Sequence, residues 1–243
     1  MRDELNSDVD HYSPEYVLLD FEQAAIKSLR SVFPNVDVSG CFFHFRKNIV
    51  KQIGDKGCKT EYNQSDMFQK LVALICALAF VPVPDIIHAW TSVVEPFMYR
   101  NQDNLTETMD DFLDCFISTY LGKVGRSGRR GNPRIKLDVW SKYEAVLKDI
   151  PCTNNAVEAF NGAWNRSTPS NPSLWTVLDG FIREEGLMRQ KLHDARIQVG
   201  SNTGNSREIY SRDKQLRLQN VVKQYNTMEL YSYLEEVGTI INM

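Results

Sequence analysis

Two acidic residues, Asp20 and Glu158, occupy positions where a carboxylate can do chemistry. Asp20 ends the apolar run of residues 16–20, which predicts a strand, and ligands of α/β sheets gather outside the carboxyl ends of strands. Glu158 follows the polar residues 153–155, which can cap a helix. A carboxylate in either position can hold a metal ion. The alternative for Glu158 is a first-turn glutamate that only interacts favourably with the helix dipole.

Predicted strands and helices must position these acids. Apolar residues at helical spacing predict a helix after the first strand, and residues 36–43 predict a second strand that leads into His44 and another amphipathic helix. After residues 153–155, the spacing of Val157, Phe160 and Trp164 predicts an apolar stripe that packs inward.

The middle of the chain predicts a small helical bundle. Ser65 is a candidate cap for the first helix, and Pro82 and Pro84 separate it from the second. Three apolar stripes carry this prediction: Met67, Leu71, Leu74, Ile75 and Leu78; Ile86, Ile87, Trp90, Val93, Val94 and Phe97; and Met109, Phe112, Leu113, Phe116 and Tyr120. Stripes of this kind joined by short turns are typical of packed helices.

A basic segment follows the third stripe. It begins at Gly122, and its glycines predict a flexible loop. Such a segment could bind DNA phosphates without sequence preference, or it could be a solvated surface loop. Trp140, which follows it, could belong to the same surface or anchor the core. The candidate DNA-binding residues are Lys123, Arg126, Arg129, Arg130, Arg134 and Lys136.

Composition sets mild bounds on function. The chain has 243 residues, of which 42% are hydrophobic and 24% charged, and this is ordinary for a globular protein. Its net charge of −3 gives no global nucleic-acid signature, so a DNA-binding surface would have to be local. No apolar run is long enough to cross a bilayer, so we expect no membrane partner. The five irregularly spaced cysteines favour a reducing compartment.

Three motifs, in this order, resemble those of the Mutator-like element (MULE) transposases. They are Leu19-Asp-Phe-Glu22 with its following helix, Cys41-Phe-Phe-His44, and Thr153-Asn-Asn-x-x-Glu158 with Asn161. The motif residues that the family shares besides its acids are Cys41, His44, Thr153, Asn154, Asn155 and Asn161. The resemblance covers the chain from about Tyr16 to His193.

The resemblance implies a ribonuclease H-like core with a DDE triad of acids. Asp20 matches the second acid and Glu158 the third, and together they would hold Mg²⁺ or Mn²⁺ for strand cleavage and transfer at phosphorus. The first acid of the family lies on an earlier strand, and residues 1–13 carry no strand-like run. Cys41 and His44 form one ligand pair, whereas a zinc site needs about four ligands. We therefore expect no zinc.

These observations predict a mostly helical α/β chain: a partial ribonuclease H-like core without its first strands, interrupted by an all-α insertion. The expected division is a polar segment 1–14, a core of 15–53 and 150–198, an insertion 54–149 with the basic loop 122–136, and a linker with peripheral helices 199–243. The expected function is a Mutator-like DNA transposase, as a truncated or inactive fragment. The alternative is a non-catalytic descendant that binds DNA or protein. The expected partners are transposon-end DNA and possibly a second copy of the chain. The expected location is the nucleus.

Overall fold

A computed structural model gives the structure of the chain and describes residues 14–104, 106–197 and 206–242. The described residues are mostly helical, with one small parallel sheet. The predicted mostly helical α/β class is therefore confirmed, whereas the ribonuclease H-like core stays a prediction. Most of the predicted segment 1–14 and of the predicted linker after residue 198 lies outside the described residues.

The sheet consists of β1 (Tyr16–Leu19) and β2 (Asp37–Gly40), paired in parallel with Tyr16 opposite Asp37 and Leu19 opposite Gly40. Helix α1 (Gln23–Val32) connects the two strands, as parallel pairing requires a crossover. The predicted order of strand, helix and strand is confirmed.

Helices form the rest of the described chain. Their bounds are α2 Phe42–Asp55, α3 Lys59–Gln64, α4 Asp66–Ala77, α5 Ile86–Ala89, α6 Glu95–Arg100, α7 Glu107–Phe116, α8 Leu137–Trp140, α9 Tyr143–Leu147, α10 Asn155–Ser167, α11 Leu174–Ile197, α12 Ser206–Val222 and α13 Leu230–Asn242. Two π-helical turns, Trp90–Val94 and Ile117–Leu121, continue α5 and α7. The sequence had shown their apolar periodicity but not the wider turn.

The cap predicted for the first helix of the bundle is confirmed at α4. Ser65 precedes the helix, and its hydroxyl accepts a hydrogen bond from the Phe68 amide at 3.2 Å. Leu71, Leu74 and Ile75 are buried on the predicted face of α4. Local capping and periodicity are therefore sufficient to define this helix.

The described residues divide into two compact units. The first comprises residues up to Thr153 together with those from Lys214 onward, and the second comprises Asn154–Asp213. In the core of the first unit, the ring of Phe45 stacks on that of Trp140, with centroids 5.2 Å apart, and meets that of Tyr120 edge-on at 5.1 Å. Trp140 is fully buried, so it is a core anchor.

Helix α13 belongs to the core of the first unit, which differs from the peripheral position expected of the C-terminal helices. Tyr233, Leu234 and Val237 on this helix are fully buried. The Tyr233 hydroxyl donates a hydrogen bond to the Phe80 carbonyl. The sequence pattern predicted the helix but could not show which element it would pack against.

The second unit contains α10 and α11. The ring of Trp164 stacks on Phe160 with centroids 6.4 Å apart and on Phe181 at 4.8 Å. Val157 is 56% exposed, so the prediction that the whole stripe on α10 packs inward is wrong for this residue. Only the Trp164 end of the stripe packs against aromatic rings of both helices.

Candidate functional site

Strand β1 places Asp20 at the carboxyl end of the sheet. The strand ends at Leu19, whose carbonyl accepts a hydrogen bond from the Cys41 amide at 2.8 Å. Asp20 leaves this edge with its side chain 54% exposed. The predicted strand-end position of this acid is therefore confirmed.

Strand β2 brings the second motif to the same edge. Cys41 is fully buried directly after the strand, and α2 begins at the next residue, so His44 lies in the first turn of α2. The Nδ1 atom of His44 lies 2.9 Å from the Oδ1 atom of Asp20. Two of the three sequence motifs thus meet at one pair of atoms, which we call the Asp20–His44 corner.

The chain that leads to the third motif is fixed at the end of β2. The carbonyl of Cys152 accepts a hydrogen bond from the Phe42 amide at 2.8 Å, next to Cys41. Cys152 therefore lies near the sheet edge that carries Asp20. This backbone contact joins residues far apart in sequence, and no pattern in the sequence indicated it.

Glu158 lies in the second unit, in the first turn of α10. The helix begins at Asn155, and the Glu158 amide donates to the Asn154 carbonyl at 3.0 Å. Asn154 occupies the predicted cap position, but its side chain does not cap the helix. Glu158 is half-buried and Asn161 exposed. Asp20 and Glu158 belong to different units, so each described unit carries one of the two candidate acids.

Asp20 and Glu158 are each a possible Mg²⁺ ligand, because Mg²⁺ prefers carboxylate oxygens. A magnesium site also needs several oxygen ligands in octahedral geometry. Among the residues that the structure describes, no three His, Cys, Asp or Glu side chains are grouped so that they could hold a metal ion. The corner pairs a carboxylate with an imidazole, which can orient the carboxylate or exchange a proton with a bound group. We assign no catalytic step to a metal here.

The basic segment forms a hairpin, so its glycines shape turns where the sequence suggested only flexibility. Val124 pairs with Arg130 in an antiparallel bridge, and the Gly131 amide donates to the Lys123 carbonyl at 2.9 Å. Gly122 has a φ of +83°, and a Cβ built there would lie 1.9 Å from the Gly131 carbonyl oxygen. Only glycine fits this close approach.

The candidate DNA-binding side chains of this hairpin differ in their contacts. The Arg130 guanidinium donates to the Gly122 carbonyl at 2.7 Å, and the Lys123 ammonium lies 2.8 Å from an Asp114 carboxylate oxygen. Arg126 and Arg129 are exposed at the tip, and Arg134 and Lys136 are exposed where the chain leaves the hairpin. Arg126 and Arg129 therefore present the tip's positive charge to solvent.

A polar face of α2 and a buried lysine were missed by the sequence reasoning. Asn48 and Lys51 follow His44 at four- and three-residue spacing, which puts them on the same face of α2. Lys142 is fully buried, and its ammonium group contacts the hydroxyl of Ser39 on β2. The helical spacing could have revealed the first feature, whereas nothing in the local sequence indicated the second.

No protein-family model, no curated protein and no solved structure matches the chain. The likeness to Mutator-like transposases therefore rests on the three motifs. In the described part of the chain, no helix combines the length and the apolar character that a membrane span requires.

Proposed function

We propose that this protein is a DNA transposase of the Mutator-like class. In this proposal Asp20 and Glu158 are the second and third acids of a DDE site, and the basic hairpin contacts DNA. The observation that carries it is the Asp20–His44 corner, where Nδ1 and Oδ1 lie 2.9 Å apart at the ends of two parallel strands. Acids at such strand ends are where α/β sheets carry ligands.

The side chains have separate roles in this proposal. His44 orients the Asp20 carboxylate, which is the acid that faces the DNA strand to be cut. In enzymes of this class, Mg²⁺ supplies the activation of a water or 3′-hydroxyl for in-line attack at phosphorus. The positive hairpin tip, with Arg126 and Arg129, gives sequence-independent affinity for the phosphate backbone. The resemblance to Mutator-like transposases favours a nuclear location.

A non-catalytic descendant is the second candidate function. It is favoured by the lack of any group of three metal-ligating side chains among the described residues. Such a protein would keep the hairpin for DNA binding, or a helical surface for a protein partner, without cutting DNA.

Strand cleavage and metal binding distinguish the two candidates. The wild type, Asp20→Asn and Glu158→Gln are incubated with supercoiled plasmid and Mn²⁺ or Mg²⁺, and nicked product is quantified on a gel. Asp110→Asn, which removes an exposed acid of α7, is the matched control. A transposase nicks DNA with the metal, and only the Asp20 and Glu158 variants lose this activity.

Thermal unfolding with and without metal gives an independent readout. A metal that binds only the folded state raises the melting temperature by mass action. We expect the wild type and the Asp110→Asn control to gain stability with millimolar Mn²⁺, and Asp20→Asn to gain none. No cleavage and no metal-dependent shift, with DNA binding retained, would leave the non-catalytic descendant as the function.

A further inference from the structure

A cleft of about 390 Å³ lies within the first unit. Phe21, the neighbour of Asp20, forms part of its wall, together with residues of α2 and of the π-helical turn after α7. This volume lies within the range of ~300–1,000 Å³ that small-molecule sites occupy. The cleft is therefore large enough for a small polar ligand, and its lining includes the residue that follows Asp20.

One wall of the cleft is the polar face of α2. Asn48, Lys51, Gln52 and Asp55 line it, and their spacing continues the face that begins at His44. Since residues three and four apart are neighbours on a helix, this face leads from the Asp20 contact into the cleft. The same helix thus carries both the corner and the cleft wall.

Arg134 also lines the cleft. Its position is fixed by the backbone, because the Arg134 amide donates to the Ser118 carbonyl at 3.4 Å and the Ile135 amide to the Thr119 carbonyl at 2.8 Å. Burial raises the pKa of Tyr120 to about 12, while the neighbouring Asn48 amide and the Arg134 charge act in the opposite direction. The guanidinium charge therefore acts on a residue of the cleft lining.

We propose that this cleft binds one nucleotide of a DNA strand that leads to Asp20, with its phosphate between Lys51 and Arg134. The inference rests on the proposed function and identifies where the strand beside the acid is held. Lys, Arg, Asn and Gln side chains are the usual partners of nucleic-acid phosphates. The carboxylate of Asp55, in the same wall, opposes the phosphate and keeps the affinity moderate.

Fluorescence anisotropy with a labelled ten-nucleotide single-stranded oligonucleotide tests the cleft. We expect Lys51→Gln and Arg134→Gln each to weaken binding about 3- to 10-fold and to lower the magnitude of the log–log salt slope by about 0.7, as the loss of one phosphate contact predicts for a single strand. Lys223→Gln, at an exposed lysine of the first unit, should leave the affinity unchanged. Circular dichroism checks that each variant is folded.

The Asp55→Asn variant tests the cleft in the opposite direction, by an expected gain in affinity for the oligonucleotide. Removing a carboxylate from a phosphate-binding cleft should raise the affinity about 2- to 5-fold, because a repulsion is lost. Asp110→Asn, outside the cleft, should have no effect. Equal affinities of Asp55→Asn and Asp110→Asn, or unchanged binding by both Lys51→Gln and Arg134→Gln, would overturn the cleft proposal.

The hairpin variants separate failure of the cleft from failure of the proposed function. If Arg126→Gln with Arg129→Gln weakens binding while the cleft variants do not, the DNA-binding function stands and the cleft is not its site. If the wild type binds no oligonucleotide at low salt, both proposals are overturned.

Discussion

At the scale of single residues, Lys142 shows how a buried charge depends on pH. Burial lowers the pKa of its ammonium group to about 8 from an ordinary 10.5, although the neighbouring Cys152, Cys41 and Asp37 act in the opposite direction. Its backbone amide donates to the Ala79 carbonyl, so the side chain is held where it enters the core. Desolvation is thus the dominant effect on this group.

Stability should therefore rise as the pH increases from 8 towards 10.5. In this window the folded lysine has lost its proton while the unfolded one keeps it, so the unfolded state binds more protons and higher pH favours folding. We expect a contribution of about 2 kcal/mol between pH 8 and 9.5. Lys142→Met removes the titrating ammonium group. The free energy of unfolding of the variant, measured relative to that of the wild type, should therefore fall by that amount across the window.

Urea unfolding at several pH values, followed by circular dichroism, measures this difference. The exposed Lys223→Met serves as the control and should show a constant difference from the wild type. Groups such as Cys76, whose pKa burial raises to about 12, titrate alike in all three proteins and cancel. A Lys142→Met difference that does not change with pH would contradict the assignment.

At the scale of elements, the basic hairpin divides its cations between structure and binding. Arg130 bonds the Gly122 carbonyl and stabilises the hairpin, whereas Arg126 and Arg129 extend from the tip. Replacing Arg126 and Arg129 together by Glu should weaken DNA binding at least 10-fold and lower the magnitude of the log–log salt slope for duplex DNA by about 2, because each phosphate contact contributes about 0.9.

Titration of labelled duplex DNA at several salt concentrations measures both quantities. Arg130→Ala is expected to act differently: it lowers the melting temperature of the protein, because a carbonyl loses its donor. The control replaces two exposed acids of α7, Glu107 by Gln and Asp110 by Asn. This variant tests the effect of net charge and should not weaken binding. Unchanged binding by the tip variant would identify the hairpin as a solvated loop.

The elements that sequence reasoning predicted correctly are those whose cause is local. The Ser65 cap defines the start of α4. The apolar run before Asp20 predicted β1, because four consecutive apolar residues that end at an acid are typical of a short buried strand. The inward stripe on α10 was wrong at Val157, since the periodicity shows a face but not what covers it. No sequence pattern predicted the Asp20–His44 contact, because it depends on the parallel register of two strands.

At the scale of the whole molecule, the two sequence segments of the first unit share one core. Helix α13 packs on α4, although the two helices are far apart in sequence. They approach closely at Gly238, where an added Cβ would lie 3.3 Å from the Ala73 carbonyl oxygen and 3.4 Å from its Cβ. The packing of α13 on α4 thus joins residues from Lys214 onward to the residues up to Thr153 in one unit.

A bulky residue at Gly238 should therefore destabilise the first unit. Gly238→Leu forces α13 away from α4 and uncovers part of the core, which costs about 1–3 kcal/mol or more by overpacking. Gly186 on α11 is the matched control, because a Cβ there meets no atom within 4 Å. Gly186→Ala should instead stabilise its helix by up to about 1 kcal/mol through the better helix propensity of alanine.

Thermal melts read by near-ultraviolet circular dichroism report this loss, because the buried Trp90 and Trp140 belong to the core of the first unit. A fall in melting temperature for Gly238→Leu, with none for Gly186→Ala, would show that the contact between α13 and α4 stabilises the first unit. An unchanged melting temperature for Gly238→Leu would mean that α13 can leave the core without cost. In that case its buried Tyr233 and Val237 would not be part of the folding core.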